Sequence, residues 1–108
     1  MRIPGGGGLQ KQLMRQMEQL QRDIEVAQRE LTGLRIEATA GGGAVRAVAN
    51  GQGELVELHI SADAVDPSDV EMLQDLVLAA VREALEKGRQ AQEEKMGGIT
   101  GGLGLPGF

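Results

Sequence analysis

Apolar side chains recur at Leu13, Met17, Leu20, Ile24, Ala27 and Leu31, spaced four, three, four, three and four. That rhythm lays one seam along a helix, as in a heptad repeat. Neither Gly nor Pro interrupts residues 9–32, and Gly33 stands where a helix cap is expected. The spacing predicts a helix of about 36 Å at 1.5 Å per residue. The period then falls to two. Leu34, Ile36 and Ala38 alternate with Arg35, Glu37 and Thr39, which reads as a first strand. Gly41 to Gly43 supply a turn, and residues 44–49 form a second strand with Val45, Ala47 and Ala49 on one face. Asn50-Gly51 followed by Gly53 is a hairpin signal, because both residue types tolerate positive φ. In the third strand Val56, Leu58 and Ile60 alternate with Leu55, Glu57 and His59.

A second long helix is expected from Asp66-Pro67-Ser68-Asp69, with Asp66 as N-cap and Pro67 in the first helical position. Val70, Leu73, Val77, Ala80, Val81 and Ala84 follow at helical spacing, and the sequence turns polar after Leu85. A helix that loses its stripe halfway either projects or lies against a single partner helix, with Ala91 and Met96 placed to meet Leu9, Leu13 and Met17. The expected class is α+β: a long helix, a three-stranded antiparallel meander, and a second long helix. Residues 1–8 read as a flexible Gly-rich lead, 9–96 as a single domain, and 97–108 as a flexible Gly-rich tail.

Composition changes this picture in one respect. Among 108 residues, Phe108 is the only aromatic, so the core must be aliphatic and each side chain buries little. A monomer of this size with such a core is marginal. A homodimer is therefore expected, with Leu13, Met17, Leu20, Ile24, Leu31, Val56, Leu58, Ile60, Leu73 and Val77 divided between core and interface. The absence of cysteine excludes disulfides and thiolate chemistry. No apolar run approaches a membrane span and the first residues lack a signal-peptide core, so the expected address is cytoplasmic, with no membrane partner.

Candidate chemistry is sparse. His59, the only histidine, has no nucleophile or set of metal ligands near it in sequence, and the glycine clusters are not followed by Gly-Lys-Ser or Gly-Lys-Thr. Neither catalysis, a metal nor a cofactor is expected. The charges are more informative. The total is −5, yet residues 1–35 hold six basic and four acidic groups, whereas residues 36–108 hold five and twelve. Arg15, Arg22 and Arg29 share the outermost heptad position opposite the apolar seam, with Lys11 nearby. Such a row suits a polyanion. It equally suits a solvated face, because Glu18–Arg22 and Glu25–Arg29 are spaced to pair. Arg82 and Arg89, with Lys87 and Lys95, are open to both readings, since Glu86 and Glu93 lie one turn away.

The ordered set of segments resembles the YbaB/EbfC family of nucleoid-associated proteins. It consists of a glycine-rich start, Thr32-Gly33 after a Gln- and Met-laden helix, the Gly41–Gly43 turn, Asn50-Gly51 through Ile60, Glu71-Met72-Leu73-Gln74-Asp75-Leu76-Val77, Ala79-Ala80, Ala84-Leu85-Glu86-Lys87, Glu94-Lys95-Met96, and Leu105-Pro106-Gly107-Phe108. Arg82 and Gln74 depart from the Asn and Glu common in the family. The resemblance implies a tweezer-like homodimer on the nucleoid whose helical arms engage double-stranded DNA, organising the chromosome or modulating expression. Lys11, Arg15, Arg22, Arg29, Arg82 and Arg89 are the candidate contacts. Without base-reading motifs or stacking aromatics, binding is expected to the DNA backbone, with weak sequence preference. The other reading is a non-catalytic scaffold that docks a protein partner through the heptad helix.

Overall fold

The computed structural model describes residues 6–101. Helix α1 spans Gly6–Gly33, strands β1, β2 and β3 span Ile36–Ala40, Val45–Ala49 and Leu55–Ile60, and helix α2 spans Val70–Gly101 after a single 3-10 turn. The strands form one antiparallel sheet in the order β1-β2-β3.

Both helices are longer than the pattern predicted. Gly6–Gly8, expected in a flexible lead, form the first turn of α1. At the other end α2 continues through Gly97 and Gly98 to Gly101, so the expected tail loses its first five residues to the helix. Residues 1–5 and 102–108 lie outside the described residues. The start of α2 moves the other way. Asp69 Oδ1 accepts from the Met72 amide at 3.1 Å and caps the helix, while Asp66 Oδ1 accepts from the Ser68 amide at 2.9 Å and closes a turn before it.

The two turns of the meander use glycine differently. Gly41, Gly42 and Gly43 all take positive φ, at 64°, 68° and 94°. In the second hairpin only Gly53 does, at 78°; Asn50 and Gly51 do not, contrary to the Asn-Gly expectation. Asn50 acts through its side chain instead. Its Oδ1 accepts from the amides of Gln52 (2.9 Å) and Glu54 (3.1 Å), and its Nδ2 donates to Glu54 Oε1. Gly51 is needed for space. A Cβ there would stand 2.6 Å from Leu31 Cδ2, and the Gly51 amide donates to the Leu31 carbonyl at 2.7 Å.

Val45, Ala47 and Ala49 of β2, Ala38 of β1, and Ala80 and Ala84 of α2 make the core, with Leu73, Leu76, Val77, Val81 and Leu85 packed around them. Small side chains on both surfaces let α2 lie close over β1 and β2. β3 escapes this cover. Its register pairs Val48 with Glu57 and then Ala49 with Leu55, skipping Val56. That bulge shifts the alternation, so the inward face of β3 is Leu55, Leu58 and Ile60 rather than Val56, Leu58 and Ile60. Leu58 and Ile60 are nevertheless each 41% exposed, because α2 does not reach that far across the sheet. Val56, Leu58 and Ile60 are thus not part of the chain's own core.

α1 packs on the rest of the molecule only through its C-terminal half. Ala27 and Leu31 are buried, Leu20 and Ile24 half-buried, and Lys95 of α2 is ion-paired with Glu30. Gly88 of α2 lies against Asn50 of the hairpin that holds Leu31, so the two helices run past each other in opposite senses. The N-terminal half of α1 is an overhang. The long axis of the molecule is 83 Å, against about 48 Å for α2 alone at 1.5 Å per residue. The expected pairing of Ala91 and Met96 with Leu9, Leu13 and Met17 does not form. Leu13 and Met17 are 52% and 69% exposed, standing beyond the end of α2.

Candidate nucleic-acid interface

A projecting helix meets a polyanion with whatever cations its exposed face carries, provided that its own carboxylates do not neutralise them first. Lys11, Arg15, Arg22 and Arg29 are all exposed on α1. Arg15, Arg22 and Arg29 follow one another at seven-residue steps, about 10.5 Å apart along the axis. Neither of the ion pairs that spacing allows, Glu18–Arg22 and Glu25–Arg29, is formed. Arg22 Nη2 donates to Gln19 Oε1 at 3.0 Å, and Gln19 Nε2 in turn donates to Asp23 Oδ1 at 2.9 Å. Among the described residues no carboxylate lies within ion-pairing distance of Lys11, Arg15, Arg22, Arg29 or Arg82.

The cations elsewhere are engaged. Arg35 pairs with Glu57 at 2.6 Å, Arg46 with Glu37 at 3.2 Å, and Lys87 with Glu83 at 3.4 Å. Arg89, a candidate from its position, is held from both sides. Its guanidinium donates twice to Glu86 and once to Glu93. Hydrogen bonding to Glu86, then the charges of Glu86 and Glu93, raise its pKa above the ordinary arginine value. The same contact lowers that of Glu86. Because Glu86 is taken by Arg89, Arg82 one turn earlier is left unpaired.

The direction of the arm is set where α1, the second hairpin and α2 meet. Gln52 Nε2 donates to the Gln28 carbonyl and to Thr32 Oγ1, both at 3.2 Å, which ties the hairpin to the last turn of α1. Arg29 borders the shallow groove formed there, with Gln28, Thr32 and Gln52. On the far side a Cβ on Gly88 would stand 2.5 Å from the Asn50 carbonyl oxygen. Gly51 and Gly88 were legible as a turn and as part of a polar run, but not as a joint. The one available signal was a lone glycine inside a helix, which ordinarily costs about 1 kcal/mol and so calls for a packing reason.

His59 is half exposed on β3, its Nε2 3.0 Å from Glu57 Oε2, and Glu57 also receives Arg35. These contacts, the His59 hydrogen bond first, hold the Glu57 carboxyl below its usual range. The cluster ties the outer face of the sheet together. Among the described residues no group of three or more His, Asp or Glu side chains is arranged to hold a metal ion, and no helix is long and apolar enough to cross a membrane.

Residues 6–103 match the model of the YbaB/EbfC DNA-binding family. The chain belongs to that family. Its curated relatives include a nucleoid-associated protein of Pelotomaculum thermopropionicum, 48% identical over 102 residues, covering 94% of this chain and 97% of the relative. Another, from Clostridium perfringens, is 50% identical over 106 residues, covering 98% and 95%. Among solved structures, an uncharacterised protein of Helicobacter pylori superposes with a TM-score of 0.61 at 20% identity, covering 72% of this chain and 90% of that one. That likeness bears on the fold alone. The YbaB/EbfC family is nucleoid-associated and DNA-binding in kind.

Proposed function

We propose that two copies of this chain pair into a homodimer that grips duplex DNA by its phosphates and catalyses nothing, acting on the nucleoid to organise the chromosome or modulate expression. The observation that carries this reading is the row of Lys11, Arg15, Arg22 and Arg29 along α1, without an ion pair among the described residues, whose first members stand on the half of the helix that projects beyond the folded body. Arg82 adds an unpaired cation on α2, whereas Arg89 is spent on its two glutamates. Two features support pairing of subunits. The inward face of β3, with Leu58 and Ile60, lies uncovered at a sheet edge. The flank of α2 forms an open apolar groove lined by Leu73, Gln74, Val77, Leu78 and Val81. A second subunit covering both enlarges a core that is otherwise mostly alanine and valine.

Contacts limited to phosphates carry little sequence information. Two unrelated duplexes of equal length should therefore bind with similar affinity in a fluorescence-anisotropy titration at low salt. Substituting Arg15, Arg22 and Arg29 together by Ala should weaken both alike, by tenfold or more. Unchanged affinity in that variant removes α1 from the interface. No affinity in the unaltered chain rejects the DNA reading and favours the scaffold, for which the apolar seam of α1 is the supporting feature.

A further inference from the structure

The apolar seam of α1 stays open along the overhang: Leu13 and Met17 are exposed, and Leu20 and Ile24 continue it half-buried. Leu13, Met17, Leu20 and Ile24 define it, and Met17, Leu20 and Ile24 line an open groove with Gln21 and Glu25. Its spacing of four, three and four residues is complementary to another helix with the same period, not to an extended segment, whose side chains repeat every second residue. We infer that this seam docks against the same seam of α1 from a second dimer, antiparallel, so that two dimers join arm to arm while each holds its own duplex. This deepens the DNA-binding reading and rests on its homodimer.

The positions flanking the seam identify a second copy as the occupant. In the heptad frame they are Met14 and Gln21 on one side and Gln16 and Asp23 on the other. Only one of the four is charged, so a copy of the same helix meets almost no like-charge repulsion. When two such helices run in opposite senses with Leu13 facing Ile24 and Met17 facing Leu20, Gln16 faces Asp23 and Met14 faces Gln21. Asp23 already accepts from Gln19 through Oδ1 and keeps its second carboxylate oxygen for the Gln16 amide of the other copy. The antiparallel sense also suits the shape. It places the two bodies at opposite ends of the shared segment, whereas a parallel pair would bring them side by side where α2 already flanks α1. Arg15 and Arg22 sit opposite the seam and remain free for phosphates.

Four seam positions per arm make a short contact, weak on its own. DNA raises the effective concentration of one arm near another, so the joint forms chiefly between DNA-bound dimers. The functional consequence is bridging of two duplexes.

The test is capture of a fluorescent duplex by an immobilised duplex of different sequence, mediated by the full chain. The unaltered chain should capture it. Leu13→Gln with Met17→Gln, which leaves the charge of the arm unchanged, should reduce capture at least tenfold while keeping helix content by circular dichroism and affinity for a single short duplex. Equal capture by this variant overturns the inference. Loss of short-duplex binding by the unaltered chain instead overturns the underlying DNA reading, so the two failures are distinct. Because the chain has no cysteine, the register can be read directly. A mixture of Leu13→Cys and Ile24→Cys chains, oxidised mildly on long DNA, should give the mixed disulfide in a four-chain species. Predominant self-linked disulfides, or the mixed disulfide confined to a two-chain species, contradicts it.

Discussion

Gly88 lies in the middle of α2 because the Asn50 carbonyl leaves no room for a larger residue. In an open helix, replacing Gly by Ala stabilises by about 1 kcal/mol. Here the added Cβ collides with backbone, and overpacking of this kind costs about 1–3 kcal/mol. Gly88→Ala should therefore lower stability in urea denaturation, and a gain would show that the joint is loose. Glu57 gives a pH dependence with a definite sign. Its carboxyl is held below the ordinary range by His59 and Arg35, so its contribution is present above that range and lost as pH falls through the lowered value. Glu57→Gln should flatten the acid limb of a plot of melting temperature against pH; an unchanged limb would mean that the cluster does not tie the sheet. Among the cations, Arg22→Ala should weaken DNA binding and Arg89→Ala should not, as read by anisotropy. The reverse order would overturn the distinction drawn from their partners. That distinction was not legible in the sequence, since Arg22 and Arg89 both have glutamate one turn away. Arg89 has carboxylates on both sides, and Arg22 takes the amide of Gln19 instead.

The elements themselves were written in the sequence. The four-three spacing of α1, the alternation of three strands and the two glycine-bearing turns each reflect a local periodicity, and each element formed. What was hidden depends on long-range packing. The bulge that replaces Val56 by Leu55 on the inward face of β3 arises from pairing with β2, which no pattern within β3 reveals. Two aspartates, Asp66 and Asp69, competed to cap α2, and a local turn through Ser68 claimed the first. How far α1 overlaps α2 is likewise invisible in either helix alone. At this scale the uncovered face of β3 makes the clearest prediction. Leu58→Asp with Ile60→Asp should leave helix content unchanged and shift the sedimentation profile from two chains to one. A variant that stays dimeric would place the subunit interface elsewhere.

The whole molecule is a rod of 83 by 24 by 17 Å with an acidic body and a cationic N-terminal arm. Net charge alone argues against a polyanion partner; charge by location and by partner argues for one, because the acidic body carries cations that are mostly paired. The family is DNA-binding, and the arginine row is the part of the molecule proposed to meet the phosphates. The measurement that bears most directly on this account is the logarithm of DNA affinity plotted against the logarithm of salt concentration. For the unaltered chain the line should fall, and removing Arg15, Arg22 and Arg29 should make its slope shallower by about 0.9 for each arginine that had met a phosphate. A slope that is the same with and without the three arginines would contradict the account, whatever the affinity at any single salt concentration.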